Sequence, residues 1–349
     1  MNNPNSLINR AAVLFFSTAF ITVSIVQSSA EGAGFKSEMK GDILSGAAIN
    51  NTITNAPEQK RQAKRIPTFA NVSYGAHPRQ TLDFYQAESS KPTPVLFHIH
   101  GGGWVKGDKS EVSELDRYLS AGISVISINY RYTWQAQLAG VMPPIQWPIA
   151  DAVRALQFVR SKAEDWRLDK KRIAASGSSA GACSSLYLAF HDDFADKESA
   201  DPIARESSRL WCVAANIAQT SLDPKQMIEW TPNSRYGGHA FGLMDPNDLG
   251  TRDLRFAEFL QKRDSLLKWI QLYSPWEHVT NDDPPVYLFY RTPPAIGQEQ
   301  KDPTHTANFG VKLQERCQEA GVACELAYPG AHNAAHSSIA EFLIDTLKK

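Results

Sequence analysis

The sequence has no surplus of charge of either sign. Its 36 Lys and Arg stand against 37 Asp and Glu, a net charge of −1. Such a balance argues against a surface built to hold a polyanion, so no nucleic-acid partner is expected. Cysteine is scarce. Cys183, Cys212, Cys317 and Cys324 are the only four, and no spacing among them suits a zinc site. Long apolar runs are almost missing too. The exception, Ala11 to Val26, is short for a membrane span and lacks a basic stop after it. Arg10 precedes that run, and Ser28-Ser29-Ala30 follows it with small residues before Glu31. This is the layout of a secretory signal cut near Ala30, with an uncleaved anchor as the alternative. No Cys lies at the exit, which excludes a lipid-modified cysteine there. The expectation is therefore a secreted or periplasmic protein with no stable membrane insertion after cleavage, its mature chain 319 residues long.

An oxidising compartment permits disulfides. Cys317 lies near the end of a predicted helix and Cys324 near the start of the next strand, where they could meet. Cys183 and Cys212 sit in apolar surroundings, and buried free thiols fit them equally well. Residues 31–65 hold few large apolar groups and are expected to be a flexible lead-in. The remainder, 66–349, suits one large domain, or one with an inserted cap.

Within that domain short apolar runs alternate with helical patterns. Val72-Ser73-Tyr74 and Thr81 to Tyr85 predict a strand pair, joined through the turn-forming Gly75-Ala76-His77-Pro78. Pro94 to His100, Ile123 to Asn129, the stretch at Ile173, Trp211 to Ile217, Val286 to Tyr290 and Ala323 to Tyr328 read as buried strands. Helices are predicted over 110–119, 148–166, 182–191, 254–270, 306–320 and 337–347. Strands that are apolar along their whole length, alternating with helices, imply a mostly parallel sheet covered on both faces. Ligands in such sheets bind beyond the carboxyl ends of the strands.

Two motifs fall at such ends. Gly177-Ser178-Ser179-Ala180-Gly181 fills the pattern G-x-S-x-G. Residues with almost no side chain let a strand enter a helix through one sharp turn that lifts the central serine above the sheet. Alone, the pattern is also compatible with a small-residue packing turn. His100-Gly101-Gly102-Gly103-Trp104 follows a buried strand, and its glycines can aim backbone N–H groups at a developing negative charge. The lack of a following Gly-Lys-Ser/Thr ending argues against a phosphate-cradling loop, and a plain flexible turn is the structural alternative.

With Asn129-Tyr130-Arg131, these motifs resemble the carboxylesterase branch of the α/β-hydrolase fold, in particular its hormone-sensitive-lipase-like and feruloyl- or acetyl-esterase-like groups. The likeness runs from about Thr68 to the C-terminus. It implies an α/β-hydrolase fold with a mostly parallel central sheet, helices on both faces and a cap inserted at about 220–283. It also implies Ser179 as nucleophile, an oxyanion hole of Gly102, Gly103 and Ala180 N–H groups, and no metal or organic cofactor. The family usually carries an acidic residue just before its nucleophile, where this chain has Ser178. The acid is expected after the Val286 strand. Asp302 is chosen there, with Glu299 second and an N-cap of the helix from Thr304 as the structural alternative. The histidine is expected in Pro329-Gly330-Ala331-His332-Asn333-Ala334-Ala335-His336, with His336 favoured over His332. The cap aromatics are expected mainly to pack, and His239 of Tyr236-Gly237-Gly238-His239 to be structural.

The activity so implied is hydrolysis of short-chain or carbohydrate-linked acyl esters by a Ser-His-Asp triad. The alternatives are a serine peptidase on the same fold and a non-catalytic binding protein. A small-molecule ester is the expected partner, and the residues leave the oligomeric state open.

Overall fold

The computed structural model describes residues 65–332 and 334–349. The signal at 1–30 and nearly all of the lead-in lie outside these residues. Chain order is β1 (Phe69–Ser73), β2 (Thr81–Tyr85), β3 (Thr93–Ile99), α1 (Leu115–Ser120), β4 (Ser124–Ile128), α2 (Thr133–Leu138), α3 (Gln146–Ser161), β5 (Leu168–Ser178), α4 (Ala180–Phe190), β6 (Cys212–Asn216), α5 (Pro224–Trp230), α6 (Phe256–Tyr273), β7 (Val286–Phe289), α7 (Asn308–Ala320), β8 (Cys324–Ala327) and α8 (Ile339–Lys348).

Among the described residues the strands form one eight-stranded sheet, in the order β1-β2-β4-β3-β5-β6-β7-β8. β1 and β2 are antiparallel to their neighbours, and every pair from β4 through β8 is parallel. The central strands β3, β4 and β6 are buried along nearly their whole length, and β5 is buried from Ile173 to Gly177, as residues packed between two helical layers must be. One apolar cluster gathers Phe97, Ile99, Ile126 and Leu186; a second gathers Leu96, Val125, Tyr287 and Phe342. The residue alternation of the strands divides the core in this way, since neighbours along a strand face opposite sides.

Register sets the site. Ile99 pairs with Gly177, Ser178 with Asn216, Asn216 with Phe289, and Phe289 with Ala327. The strands β3, β5, β6, β7 and β8 therefore end at one level, and the segments that follow them leave from one edge. The segment between β6 and β7 adds α5, α6 and the short turns Gly238–Phe241 and Leu249–Thr251, but no strand. Its Asp223 caps α5 by accepting from Lys225 N–H at 2.8 Å, and pairs with Arg263 of α6.

The predicted helices form with shifted ends. The first is shorter than its pattern suggested, 115–120 instead of 110–119, and α2 and α5 had no periodic signal of their own. All four cysteines are free thiols. Cys317 lies against Cys324, whose thiol is raised well above its ordinary value by that contact and by burial. No described helix is long and apolar enough to cross a membrane.

The two glycines flanking the serine turn are required by contact. A Cβ on Gly181 would sit 2.1 Å from Ile99 O and 2.5 Å from His100 O; one on Gly177 would sit 2.4 Å from Ile99 O. These neighbours are backbone of β3 and cannot rotate away. Gly181→Ala is therefore expected to cost about 3 kcal/mol of stability, measured as a fall in the urea midpoint. An unchanged midpoint would show that β3 and α4 are not in this close contact.

Candidate active site

Ser179 occupies the turn between β5 and α4 with φ 53° and ψ −123°, a conformation that L-residues with a Cβ seldom adopt. Two bonds hold it: Ser179 N–H donates to Asn216 O of β6 at 2.9 Å, and its carbonyl accepts from Cys183 N–H at 2.9 Å. Such strain persists only where the surroundings over-determine the backbone. Ser178, in place of the family's acid, accepts from Asn216 Nδ2 at 3.1 Å.

The Ser179 hydroxyl lies 2.9 Å from Nε2 of His305. His305 Nδ1 is 2.9 and 3.1 Å from the two carboxylate oxygens of Asp302. A carboxylate only accepts, so Nδ1 carries the ring proton and the Nε2 lone pair faces the serine hydroxyl. Asp302 and His305 belong to one turn after β7, closed by His305 N–H donating to Asp302 O. Asp302 is not the cap of α7, which begins at Asn308 with Ala307 before it. Asp302 is largely exposed and His305 about a quarter exposed. Glu299 is exposed too, and among the described residues His305 Nδ1 meets Asp302 and not Glu299.

The expected base is corrected here. His336 does not approach Ser179. Its Nδ1 is paired with Glu325 at 2.8 Å, its N–H donates to the same carboxylate at 3.0 Å, and Nε2 is 3.4 Å from Asp345. β8 and α8 thus hold the imidazole between their own acids, with Phe342 edge-on at 5.4 Å. Burial opposes charge on this ring, but the bonds to Glu325 and Asp345 outweigh it and raise its pKa above the ordinary value. His332 is exposed and makes no hydrogen bond to Ser179. The missed residue, His305, carried one signal: Asp-x-x-His in the loop after β7, a spacing that brings both side chains together on one turn. The resemblance directed attention to the loop after β8 instead.

The glycine loop begins beside this turn, since Ile99 and Gly177 are paired. A Cβ on Gly101 would lie 3.6 Å from Ser179 Cβ. Gly102, Gly103 and Trp104 all have positive φ, at 92°, 63° and 56°. Among the described residues no hydrogen bond takes up the N–H of Gly102, Gly103 or Ala180. The Asn129-Tyr130-Arg131 motif supports the loop from below. Tyr130 O–H donates to His100 O and Gly101 O at 3.0 Å each, its ring stacks on His100 at 4.2 Å, and Arg131 pairs with the buried Asp151. Trp104 Nε1–H donates to Ser184 Oγ on α4 at 3.0 Å. Burial pushes His100 down to about 4, so it is neutral near pH 7.

Elements outside the sheet position the Asp302–His305 turn. Gln219 Nε2–H donates to Thr304 O, Asn233 Nδ2–H to Gln300 O, and Asn308 Nδ2–H to Trp230 O and Ala295 O. Among the described residues no group of His, Cys, Asp and Glu side chains is arranged to hold a metal ion.

The family model BD-FAE matches residues 82–296, more than half of the chain. Gut esterase 1 of Caenorhabditis elegans is 32% identical over 163 residues, which are 45% of this chain and 28% of that protein. The match spans less than a third of that relative's length. Among solved structures, a truncated carbohydrate esterase from gut microbiota aligns with TM-score 0.57 at 19% identity, covering 80% of this chain and 96% of that one. An acetyl ester-xyloside bifunctional hydrolase from Caldicellulosiruptor lactoaceticus aligns with TM-score 0.52 at 23% identity, covering 71% and 76%. With the strand order above, these likenesses place the chain in the α/β-hydrolase fold.

The geometry of His336 makes its substitution a probe of which histidine serves Ser179. A group whose folded pKa is raised stabilises the fold below its unfolded value, about 6.5 for His, and loses that contribution as pH rises through the folded value. His336→Gln is therefore expected to lower thermal stability at about pH 5.5 and far less at about pH 9. Ester-cleaving activity, read on the same variant, is expected to stay within about twofold of wild type.

Proposed function

Because the chain belongs to the BD-FAE family of hormone-sensitive-lipase-like α/β-hydrolases, we propose that it hydrolyses carboxylic esters through Ser179, His305 and Asp302. The observation that carries this reading is the unbroken chain from the Ser179 hydroxyl through His305 to Asp302. A neutral hydroxyl is a poor nucleophile near pH 7 and needs a base in hydrogen-bond reach. His305 Nε2 takes the proton as Oγ attacks the ester carbonyl, then returns it to the leaving alcohol. Water, activated by the same imidazole, releases the acid and restores the serine. Asp302 keeps the imidazole in the tautomer that accepts at Nε2 and stabilises its cation.

Gly102, Gly103 and Ala180 supply the oxyanion donors in this reading. Their N–H groups are unclaimed, and the first two lie in a loop that runs past Ser179. Donors already aimed at the charge cost no reorganisation during the reaction, and one of them is typically worth about 3 kcal/mol. Acylated carbohydrates and short-chain esters are the proposed substrates. The support is the likeness to two structural neighbours, a carbohydrate esterase and an acetyl ester-xyloside bifunctional hydrolase. We also propose export with cleavage after Ala30. N-terminal sequencing of the mature protein tests this, and a chain still starting at Met1 would refute it.

Ser179→Ala and His305→Ala are each expected to lower kcat for p-nitrophenyl acetate and for acetylated xylo-oligosaccharides by about 10⁴-fold or more. The double variant is expected to lose little beyond either single one, because the two residues act as a unit. Labelling by a fluorophosphonate is lost with Ser179→Ala. A Ser179→Ala variant that keeps full activity rejects the reading, and peptide cleavage that outpaces ester cleavage transfers it to the peptidases. His305→Ala with wild-type activity would remove His305 as the base.

Asp302 is exposed to water, so its charge acts through a high dielectric. At contact distance that is worth about 1–3 kcal/mol. Asp302→Asn is expected to lower kcat by about 10- to 100-fold, measured with the same esters. A loss as large as that of Ser179→Ala would show that the carboxylate is shielded from water when substrate is bound.

A further inference from the structure

We propose that His239 is a positioning residue of the oxyanion loop, holding the Gly103–Trp104 peptide so that its carbonyl cannot turn toward the reacting ester. The proposal rests on the serine-esterase reading and deepens it. Three consecutive peptide planes make up the loop, and each places its N–H opposite its carbonyl because the bond is trans and planar. The first two planes carry the Gly102 and Gly103 N–H groups, so aiming those donors turns Gly101 O and Gly102 O away from the site; the third carries Trp104 N–H, and its carbonyl must be kept away by other means. Gly101 O accepts from Tyr130 O–H at 3.0 Å and is 2.9 Å from His100 Nδ1. Gly102 O accepts from Val105 and Lys106 N–H at 3.1 and 3.2 Å. These tethers belong to the loop itself and to β4 and its extension. The third does not. Gly103 O accepts from Nε2–H of His239, 136 residues away, at 2.8 Å.

Gly103 is the residue where such a tether is needed. Glycine occupies both signs of φ at little cost, so a peptide beside it can rotate where others cannot. Here φ is +63° at Gly103 and +56° at Trp104. The side chain of Trp104 is pinned to Ser184 and its carbonyl accepts from Thr133 N–H at 2.9 Å. Neither bond determines which way the Gly103 carbonyl points. Rotated inward, that carbonyl would present the negative end of its dipole to the developing oxyanion.

His239 is built for this single bond. It lies in the short turn Gly238–Phe241, wholly buried, with its ring 5.9 Å from Trp104 and edge-on to Tyr236 at 5.1 Å. Burial, with Arg252 adding to it and Asp253 opposing, pushes the imidazole down to about 3. The ring is therefore neutral, and the acceptor at Gly103 selects the tautomer protonated at Nε2. Its Nδ1 is buried with no hydrogen-bond partner among the described residues. An apolar side chain of similar size would avoid that unpaired atom. Among the described residues the Nε2–H bond to Gly103 O is the one hydrogen bond that uses the ring's polarity. Arg252 closes the same corner: a Cβ on Gly103 would lie 2.8 Å from its Nη1, and its guanidinium sits over Tyr236.

The test uses the full chain with His239→Leu and His239→Met, which lose the donor, and His239→Gln, which keeps an N–H at a similar reach. Steady-state hydrolysis of p-nitrophenyl acetate and thermal unfolding are measured for each. The donor-less variants are expected to lose about 10²-fold in kcat with KM changed less than about threefold. His239→Gln is expected to recover most of that loss. A purely packing role would instead track the unfolding temperature and would not divide the variants by their donor. If His239→Leu does not fold, His239→Met decides. A folded donor-less variant with wild-type kcat overturns the inference while leaving the esterase reading intact. So does a folded His239→Gln that is as slow as the donor-less variants. A wild-type protein that neither hydrolyses esters nor reacts with a fluorophosphonate overturns both.

Discussion

Everything at the site depends on the close approach of two backbones, the end of β3 and the start of α4. Gly177 and Gly181 allow it, and Ser179 bears the consequence as a strained φ of 53°. Strain of this kind costs about 1–3 kcal/mol and must be sustained by the surrounding packing. Here the packing is the buried core of the sheet, in which the small Ala175 of β5 lies in one cluster with Ala182 and Leu186 of α4. The same contact sets Gly101 beside Ser179, so a single constraint locates both the serine hydroxyl and the glycine loop.

The segments above the sheet are not a passive cover. Gln219, Asn233 and His239 all lie between β6 and β7, and each donates to a carbonyl in a loop of the site. Two of those loops carry groups whose aim matters, the Asp302–His305 turn and the glycine loop. A reacting group displaced by about 1 Å can lose about a hundredfold in rate. Hydrogen bonds to backbone carbonyls are a direct way to resist such displacement, because they act on the main chain that the functional groups share.

The chemistry is distributed unevenly between dry and wet surroundings. His239 and His100 are buried and held neutral, whereas Asp302 stands largely in water. In the proposed reading, orientation comes from the dry residues, and the charge that supports His305 comes from a solvated carboxylate. His336 shows the contrasting case. It also contacts acids, Glu325 and Asp345, yet these hold it against α8, away from any nucleophile. A histidine beside a carboxylate is thus not sufficient to mark a site. What separates His305 from His336 is the hydroxyl on its other nitrogen.

The buried strands were legible from their apolar runs, because a sheet covered on both faces demands them. The serine turn and the glycine loop were legible because contact tolerates no side chain there, and absence of a side chain is visible in a sequence. The short α2 and α5 were not, since a helix of six or seven residues carries too few turns to show a period. The choice of histidine was not legible either. His305, His332 and His336 all follow late strands of one sheet edge, and their order along the chain does not say which reaches Ser179. That was decided by the path of two loops: the turn after β7 closes over Asp302, while the one after β8 is drawn back by Glu325. Local composition therefore determined the elements and the turn that strains the serine. Only the folded chain decided its partner, because proximity across 126 residues is a property of packing and not of spacing.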